Sequence, residues 1–281
     1  MCSKINEKAG FEMVICAGAQ KAGTSWLFKC LEEHPSICTA TGKETYFFDT
    51  EVEDISDYEK FFSHCPDKPI RFEASTFYLY NPKTPRRIKH FFPDAKLIII
   101  LRNPVDRFFS HLRHWKNKGA IPSSISTAEC IEQYAYLIEN SRYSRFVKNY
   151  QSEFGHDQLL ILDYQEIVRN PEITLQTVFD YLNIDKIKPH SLHKRYNSNR
   201  AKNHFVYRKI ITLYFVLKRS AAGRNFIQLL KKVGVNNANA EHILAKTSKP
   251  LTPPKREDVD LVSSLLSDEI IFYNNFFKKN T

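Results

Sequence analysis

The stretch AGAQKAGTSW, residues 17–26, decides how the rest of the chain is read. An apolar run, MVICA, leads into it, and the helix-compatible LFKCLEEH leads out. Strand, tight glycine-bearing loop and helix in that order form a common cradle for phosphate, because a helix start presents backbone N–H groups and partial positive charge. Gly18 ends the strand, Gly23 allows close backbone approach, and Thr24 and Ser25 open the helix. Lys21 adds a mobile positive charge. The NTP-binding pattern GxxxxGK[ST] fails, since Thr24 stands where its lysine belongs.

Outward from this loop, short apolar runs alternate with helical patterns. Strands are predicted at FEMVICA (11–17), IRFEAS (70–75), KLIIIL (96–101) and QLLILDY (158–164). Three of them are apolar on both faces, as strands of a helix-covered parallel sheet must be. Between them lie the helical candidates TSWLFKCLEEH, NPKTPRRIKHFF, NPVDRFFSHLRHWKN and a long segment from about 127 to 150, with a final helix near 256–277. The alternation predicts an α/β fold, a P-loop-like parallel β-sheet flanked by helices, as one domain over residues 1–281.

A second anion-binding loop stands out in LRNPVDRFFSH. Arg102 closes an apolar strand, where α/β folds place ligand contacts. Asn103 and Pro104 supply a helix cap and first-turn proline. Ser110 falls two turns on, near the face of the helix start. An arginine fork with a hydroxyl suits a terminal phosphate.

Composition narrows the classes. The 281 residues are 42% hydrophobic and 26% charged, as in a soluble globular protein. No apolar run approaches membrane-spanning length and no signal peptide is recognisable, so a cytoplasmic protein without stable membrane insertion is expected. Six cysteines lacking any CxxC pair are read as free thiols in a reducing compartment. His111 and His114 lack a third ligand partner, and no metal is implied. The net charge of +10 comes from one region: residues 186–240 hold 13 Lys and Arg and no Asp or Glu. Such a patch fits a nucleic acid or a small ligand with several phosphate or sulfate groups.

GAQKAGTSWL with HPSI, then KETYFFD, then LIIILRNPVDRFFSHL, resembles the sulfotransferases that use 3′-phosphoadenosine 5′-phosphosulfate (PAPS), in particular the branch of the heparan sulfate enzymes and their bacterial relatives. The resemblance implies a phosphosulfate loop over 18–26, with Gln20, Lys21, Ala22, Gly23, Thr24, Ser25 and Trp26 at the co-substrate. It implies a 3′-phosphate motif over 102–110, through Arg102 and Ser110. RYNSNRAKNH falls where the family has a loop over the nucleotide, about 195–204, making Asn197, Arg200 and Lys202 further candidates. By the same resemblance Lys21 stabilises the transferred group and Glu44 is the general base, its pKa expected to be raised by the flanking Tyr46, Phe47 and Phe48. Glu73 is the runner-up base or an acceptor-orienting residue, and His111 and His114 come third. The family often carries a lysine directly after this glutamate, where Ala74 stands here.

The expected partner is a carbohydrate or small natural-product acceptor, taking sulfate on a hydroxyl or amine, rather than nucleic acid. Tyr46, Phe47, Phe48, Phe77, Tyr78 and Tyr80 are candidates for its cleft. The competing readings are a P-loop kinase or NTPase, which would need magnesium, and a non-catalytic polyanion or nucleic-acid binder using the basic stretch.

Overall fold

The computed structural model describes residues 10–52, 54–194, 196 and 253–278. Asn197, Arg200 and Lys202 lie outside the described residues, as does Cys2.

Five parallel strands form one sheet in the order β2-β3-β1-β4-β5, covered by helices as expected. They are β1 (Glu12–Gly18), β2 (Ile37–Thr39), β3 (Ile70–Glu73), β4 (Lys96–Leu101) and β5 (Leu159–Asp163). The four strands foreseen from the apolar runs are all present. β1 and β4 are buried along nearly their whole length, so the centre of the sheet is the centre of the core. The edge strand β2 was not foreseen. It has three residues, too few to show a pattern, and forms because Ile37, Cys38 and Thr39 pair with β3.

The connections explain where a ligand site must fall. From β1 the chain passes through α1 (Thr24–Glu32) to β2 on one side. From β3 it passes through a short 3-10 turn (Tyr78–Tyr80) and α3 (Thr84–Phe91) to β4, on the other side of β1. The short helix α2 (Ser56–Glu59) belongs to the β2–β3 connection. Loops leaving β1 and β4 therefore diverge, opening a crevice at their carboxyl ends. From β4 the chain enters α4 (Pro104–Lys118), capped by Asn103, whose side chain accepts from the amides of Val105 and Asp106 at 3.1 and 3.2 Å.

The long helical segment near 127–150 is three helices, α5 (Thr127–Gln133), α6 (Tyr136–Glu139) and α7 (Tyr143–Glu153). After β5 come α8 (Tyr164–Arg169) and α9 (Pro171–Leu182). The final helix is likewise two, α10 (Arg256–Leu265) and α11 (Ser267–Lys278), separated at Leu266. Leu266 and Val262 are buried with Phe108, Leu112, Cys130 and Leu137 in a second apolar cluster. That cluster fixes the back of α4 and so holds the face carrying Ser110 toward the crevice. Arg107, fully buried, strengthens the joint by donating to Ser141 Oγ at 2.6 Å and to the Leu137 carbonyl.

The cysteine reading needs correction. Cys38 and Cys65 form a disulfide, with Cα atoms 5.8 Å apart and a sequence separation of 27. Pairing of β2 with β3 brings Cys38 beside the turn after α2, where the Thr41 amide also donates to the Phe61 carbonyl at 2.8 Å. Long-range pairing of this kind leaves no spacing motif, and the argument for a reducing compartment loses its basis. Cys16, Cys30 and Cys130 are free, buried thiols. Among the described residues no helix is long and apolar enough to cross a membrane.

Candidate active site

A cavity of about 940 Å³ opens at the carboxyl ends of β1 and β4. The loop after β1 forms one wall. Gly23 caps α1 with φ of 96°, a left-handed conformation open to glycine, and a Cβ there would lie 3.1 Å from the Tyr164 ring. Gly18, at φ of 152°, is equally confined: its Cβ would lie 2.9 Å from Leu79 Cβ. Both glycines foreseen in the loop are thus required by backbone shape and packing.

Gln20, Lys21, Gly23, Thr24, Ser25 and Trp26 line the cavity, and Arg102 and Ser110 join them from β4 and α4. The two anion loops, about 80 residues apart in sequence, meet directly: Arg102 Nη1 donates to the Lys21 carbonyl at 3.2 Å. The Arg102 guanidinium also lies over the Tyr164 ring, 4.7 Å from its centroid. Ala22 does not reach the wall; its methyl is in the core and its amide donates to the Ala19 carbonyl. Trp26 is buried, and its indole N–H donates to the Leu192 carbonyl at 2.8 Å, tying the first turn of α1 to the segment after α9.

Charge in the cavity is one-sided. Lys21, Lys43, Arg102, Arg113, Lys118 and Lys194 line it, against Glu44 as the single carboxylate among its described residues. The crowding shows in Lys21, whose pKa is pushed down to about 8 by burial and then by Arg102, Lys118 and Arg113. Its ammonium donates to His114 Nδ1 at 3.4 Å. Burial, reinforced by Lys21, lowers His114 to about 4, so its imidazole is a neutral acceptor near pH 7. Of the five buried polar side-chain atoms without a hydrogen-bond partner among the described residues, two belong to cavity-lining residues, Gln20 Oε1 and Arg102 Nε. The Arg102 N–H is a donor left for an anionic group, while the Gln20 oxygen is an acceptor left for a donor.

Glu44 sits across the cavity on the loop after β2. Its Oε1 accepts from Lys43 Nζ at 3.0 Å, and its Oε2 accepts from Tyr46 OH at 2.8 Å and Thr76 Oγ1 at 3.0 Å. Burial alone would raise its pKa, but Lys43, Tyr46 and Thr76 outweigh burial and hold the carboxyl below its ordinary value. The upward shift expected from the flanking aromatics is therefore corrected in sign: the donors bound to the carboxylate prevail over desolvation.

Glu73 is not brought to the cavity wall. It is fully buried and accepts from Thr45 Oγ1, Ser75 Oγ, Tyr58 OH and Tyr78 OH at 2.6, 2.7, 2.7 and 3.1 Å. A carboxylate enclosed by four hydroxyls has no open approach for an acceptor, so the runner-up base is a structural hub instead. Burial raises its pKa while the four donors oppose that rise. Its reach is indirect: Ser75 Oγ, which donates to Glu73, accepts from the amides of Thr45 and Tyr46. The hub thereby fixes the backbone on which Glu44 is carried.

His111 is buried beside Arg107 and accepts from Trp115 Nε1 at 2.8 Å. Burial and then Arg107 push its pKa down to about 2, and its Nε2 is engaged, which makes it a poor base. Of the aromatic candidates, Tyr46 and Phe77 line the cavity and are exposed. Phe48 and Tyr78 are fully buried, and Phe47 and Tyr80 pack against the core.

Several lining residues were not foreseen. Lys43 fills space beside the missing lysine position, donating to the Ala74 carbonyl at 3.1 Å as well as to Glu44. Arg113 follows Ser110 by three residues, one helical turn, a spacing that could have marked it. Tyr164 starts α8 directly after β5 ends at Asp163, at the carboxyl end of a strand as Arg102 is. Thr76, Trp115 and Lys118 carried no local signal.

Comparison with known proteins identifies the family. Residues 12–221 match the model of the sulfotransferase domain family. Human heparan sulfate glucosamine 3-O-sulfotransferase 3B1 is 28% identical over 181 residues, 62% of this chain and 46% of the relative. The membrane-associated sulfotransferase kil1 of Dictyostelium discoideum is 32% identical over 133 residues, 44% of this chain and 28% of the relative. A sulfotransferase structure from Alicyclobacillus acidocaldarius superposes with a TM-score of 0.59 at 26% identity, covering 75% of this chain and 98% of that one. The chain spans about half the length, or less, of these curated relatives. It belongs to the sulfotransferase domain family.

Proposed function

We propose that this domain transfers a sulfuryl group from PAPS to a hydroxyl of a carbohydrate or small-molecule acceptor, with Glu44 as general base. The observation that carries the reading is the composition of the cavity: among the described residues, six cations from four segments of the chain line it with one carboxylate. A donor bearing a phosphosulfate and a 3′-phosphate matches the cations, and a reaction that releases one proton matches the lone carboxylate.

In this reading the loop over 18–26 holds the phosphosulfate, with the first turn of α1 and Lys21 facing its charge. Arg102 and Ser110 hold the 3′-phosphate. Asn197, Arg200 and Lys202 remain candidates, from sequence, for the segment covering the nucleotide. The acceptor oxygen attacks sulfur as the bond between sulfur and the bridging phosphate oxygen breaks. Glu44 takes the hydroxyl proton, and the electron pair of the broken bond stays on the departing phosphate. Charge grows on that bridging oxygen, where an ammonium is most useful, and Lys21 supplies one. The part of Lys43 is to keep Glu44 ionised.

The test is direct. Titration with 3′-phosphoadenosine 5′-phosphate should saturate at one nucleotide per chain. Labelled PAPS should yield labelled product from a panel of glycans, phenols and alcohols, and Lys21→Ala should abolish that transfer in a folded protein. Near-normal turnover by Lys21→Ala, or preference for ATP over the 3′-phosphorylated nucleotide, would sink the assignment.

A further inference from the structure

Resting on the reading of Glu44 as base, one feature of the acceptor end goes further. Tyr46 is exposed to 45% and Phe77 to 41%, and their rings meet edge to face with centroids 5.8 Å apart. Large aromatics are seldom left so open beside a strongly charged wall, and both line the cavity. The Tyr46 backbone has φ of 56°, a left-handed conformation that disfavours a side chain as bulky as tyrosine. It is held there by the Ser75 hydroxyl, which accepts the Tyr46 amide at 3.2 Å, and by the Asp49 amide, which donates to the Tyr46 carbonyl at 3.2 Å. The Glu73 hub fixes that serine in turn. The outcome of this arrangement is a phenol hydroxyl delivered onto Glu44 Oε2 at 2.8 Å.

An acceptor hydroxyl about to lose its proton to Glu44 needs a lone pair on that carboxylate. Oε2 already accepts two donors, Tyr46 and Thr76, and Oε1 accepts Lys43. Lys43 and Thr76 are the more confined pair: the ammonium is also anchored on the Ala74 carbonyl, and Thr76 is buried. Tyr46 is the donor with room to leave.

We propose that the Tyr46 hydroxyl holds, in the acceptor-free protein, the position on Glu44 Oε2 that the acceptor hydroxyl takes during transfer, and that Tyr46 and Phe77 then form the surface on which the acceptor's ring lies. Tyr46 is thus a specificity-determining residue, and the acceptor class is a hydroxyl carried on a flat ring with an apolar face, aromatic or sugar. A ring laid against Tyr46 and Phe77 gains contact with both, whereas a flexible alcohol gains little from them.

The test uses the full chain and PAPS, first with no added acceptor, so that water is the only nucleophile. Tyr46→Phe keeps the ring and removes the hydroxyl, freeing a lone pair on Oε2. Its rate of PAPS hydrolysis should rise several-fold over wild type. The acidic limb of its pH profile should move to higher pH, because Glu44 has lost a donor that stabilised its charge. With acceptors present, Phe77→Ala should raise KM several-fold for 4-nitrophenol, for a methyl pyranoside, or for both, and leave a ringless alcohol unaffected. The ring acceptor that responds identifies the natural one as aromatic or sugar. Unchanged hydrolysis and an unmoved acidic limb in Tyr46→Phe would overturn the proposal. So would a loss in Phe77→Ala that is equal for ringed and ringless acceptors. If Glu44→Gln hydrolyses PAPS as fast as wild type, the base assignment itself is wrong. Loss in Glu44→Gln with wild-type behaviour in Tyr46→Phe removes this inference alone.

Discussion

Replacing Lys43 by methionine keeps most of the side-chain volume and removes the ammonium 3.0 Å from Glu44 Oε1. The side chains of this pair are 20% and 25% exposed, so solvent screens the interaction only in part. An opposite charge this close moves a carboxyl pKa by about 1–3 units, and partial exposure places the pair toward the lower end, about one unit or ~1.4 kcal/mol. Burial is the largest influence on Glu44 and raises its pKa; Lys43, Tyr46 and Thr76 lower it. Without Lys43 the balance shifts upward, and the carboxylate needed as base is present only above a higher pH. The assay is the pH dependence of kcat/KM for sulfuryl transfer. The acidic limb of Lys43→Met should lie about one unit higher than in wild type, costing about tenfold at a fixed pH on that limb and little on the plateau. Lys43→Arg, which keeps the charge, should hold the limb near its wild-type place. The basic limb should hardly move, since Lys43 is among the weaker influences on Lys21. An acidic limb that stays put in Lys43→Met would refute the coupling, or show that Glu44 is not the titrating base.

Three further outcomes follow from named contacts. Ser75→Ala removes the acceptor for two amides and one donor to Glu73, and should lower unfolding free energy by about 2–4 kcal/mol, read from the urea midpoint; a loss near zero would contradict the hub. Arg102→Ala should weaken binding of 3′-phosphoadenosine 5′-phosphate by about 10–100-fold in calorimetry, the scale of a lost charge-assisted contact of ~1.5–3 kcal/mol; unchanged affinity would remove Arg102 from the site. Cys65→Ser opens a loop of 27 residues and should cost about 3.5 kcal/mol by chain-entropy reasoning, seen as a lower midpoint that reductant no longer changes; equal midpoints with and without reductant in wild type would show that the bond does not form.

Much of this was readable because the decisive features are local. A strand, a glycine loop and a helix start lie within AGAQKAGTSW, and a strand, an arginine and an Asn-Pro cap lie within LRNPVD, so each phosphate-type loop is written in a few adjacent residues. What escaped depends on contacts between distant segments. Glu73 reads as a candidate base in RFEAST, and only the convergence of Thr45, Tyr58, Ser75 and Tyr78 shows that it is enclosed. The pKa of Glu44 is decided by Thr76 on another loop as well as by its neighbours in sequence, so the aromatic flanks suggested the wrong direction. The Cys38–Cys65 pair requires an edge strand of three residues that no periodicity announces. The helix breaks near 134–142 and at Leu266 are likewise set by packing, since no proline or glycine marks them.

The most direct measurement is transfer of label from PAPS by wild type and by Glu44→Gln, at equal and saturating nucleotide, with both proteins shown to bind one 3′-phosphoadenosine 5′-phosphate per chain. Wild type should turn over, and Glu44→Gln should be slower by at least ~100-fold, the usual scale of general-base loss. Equal rates, or nucleotide binding absent from both, would contradict a sulfuryl-transfer site built on Lys21 and Glu44.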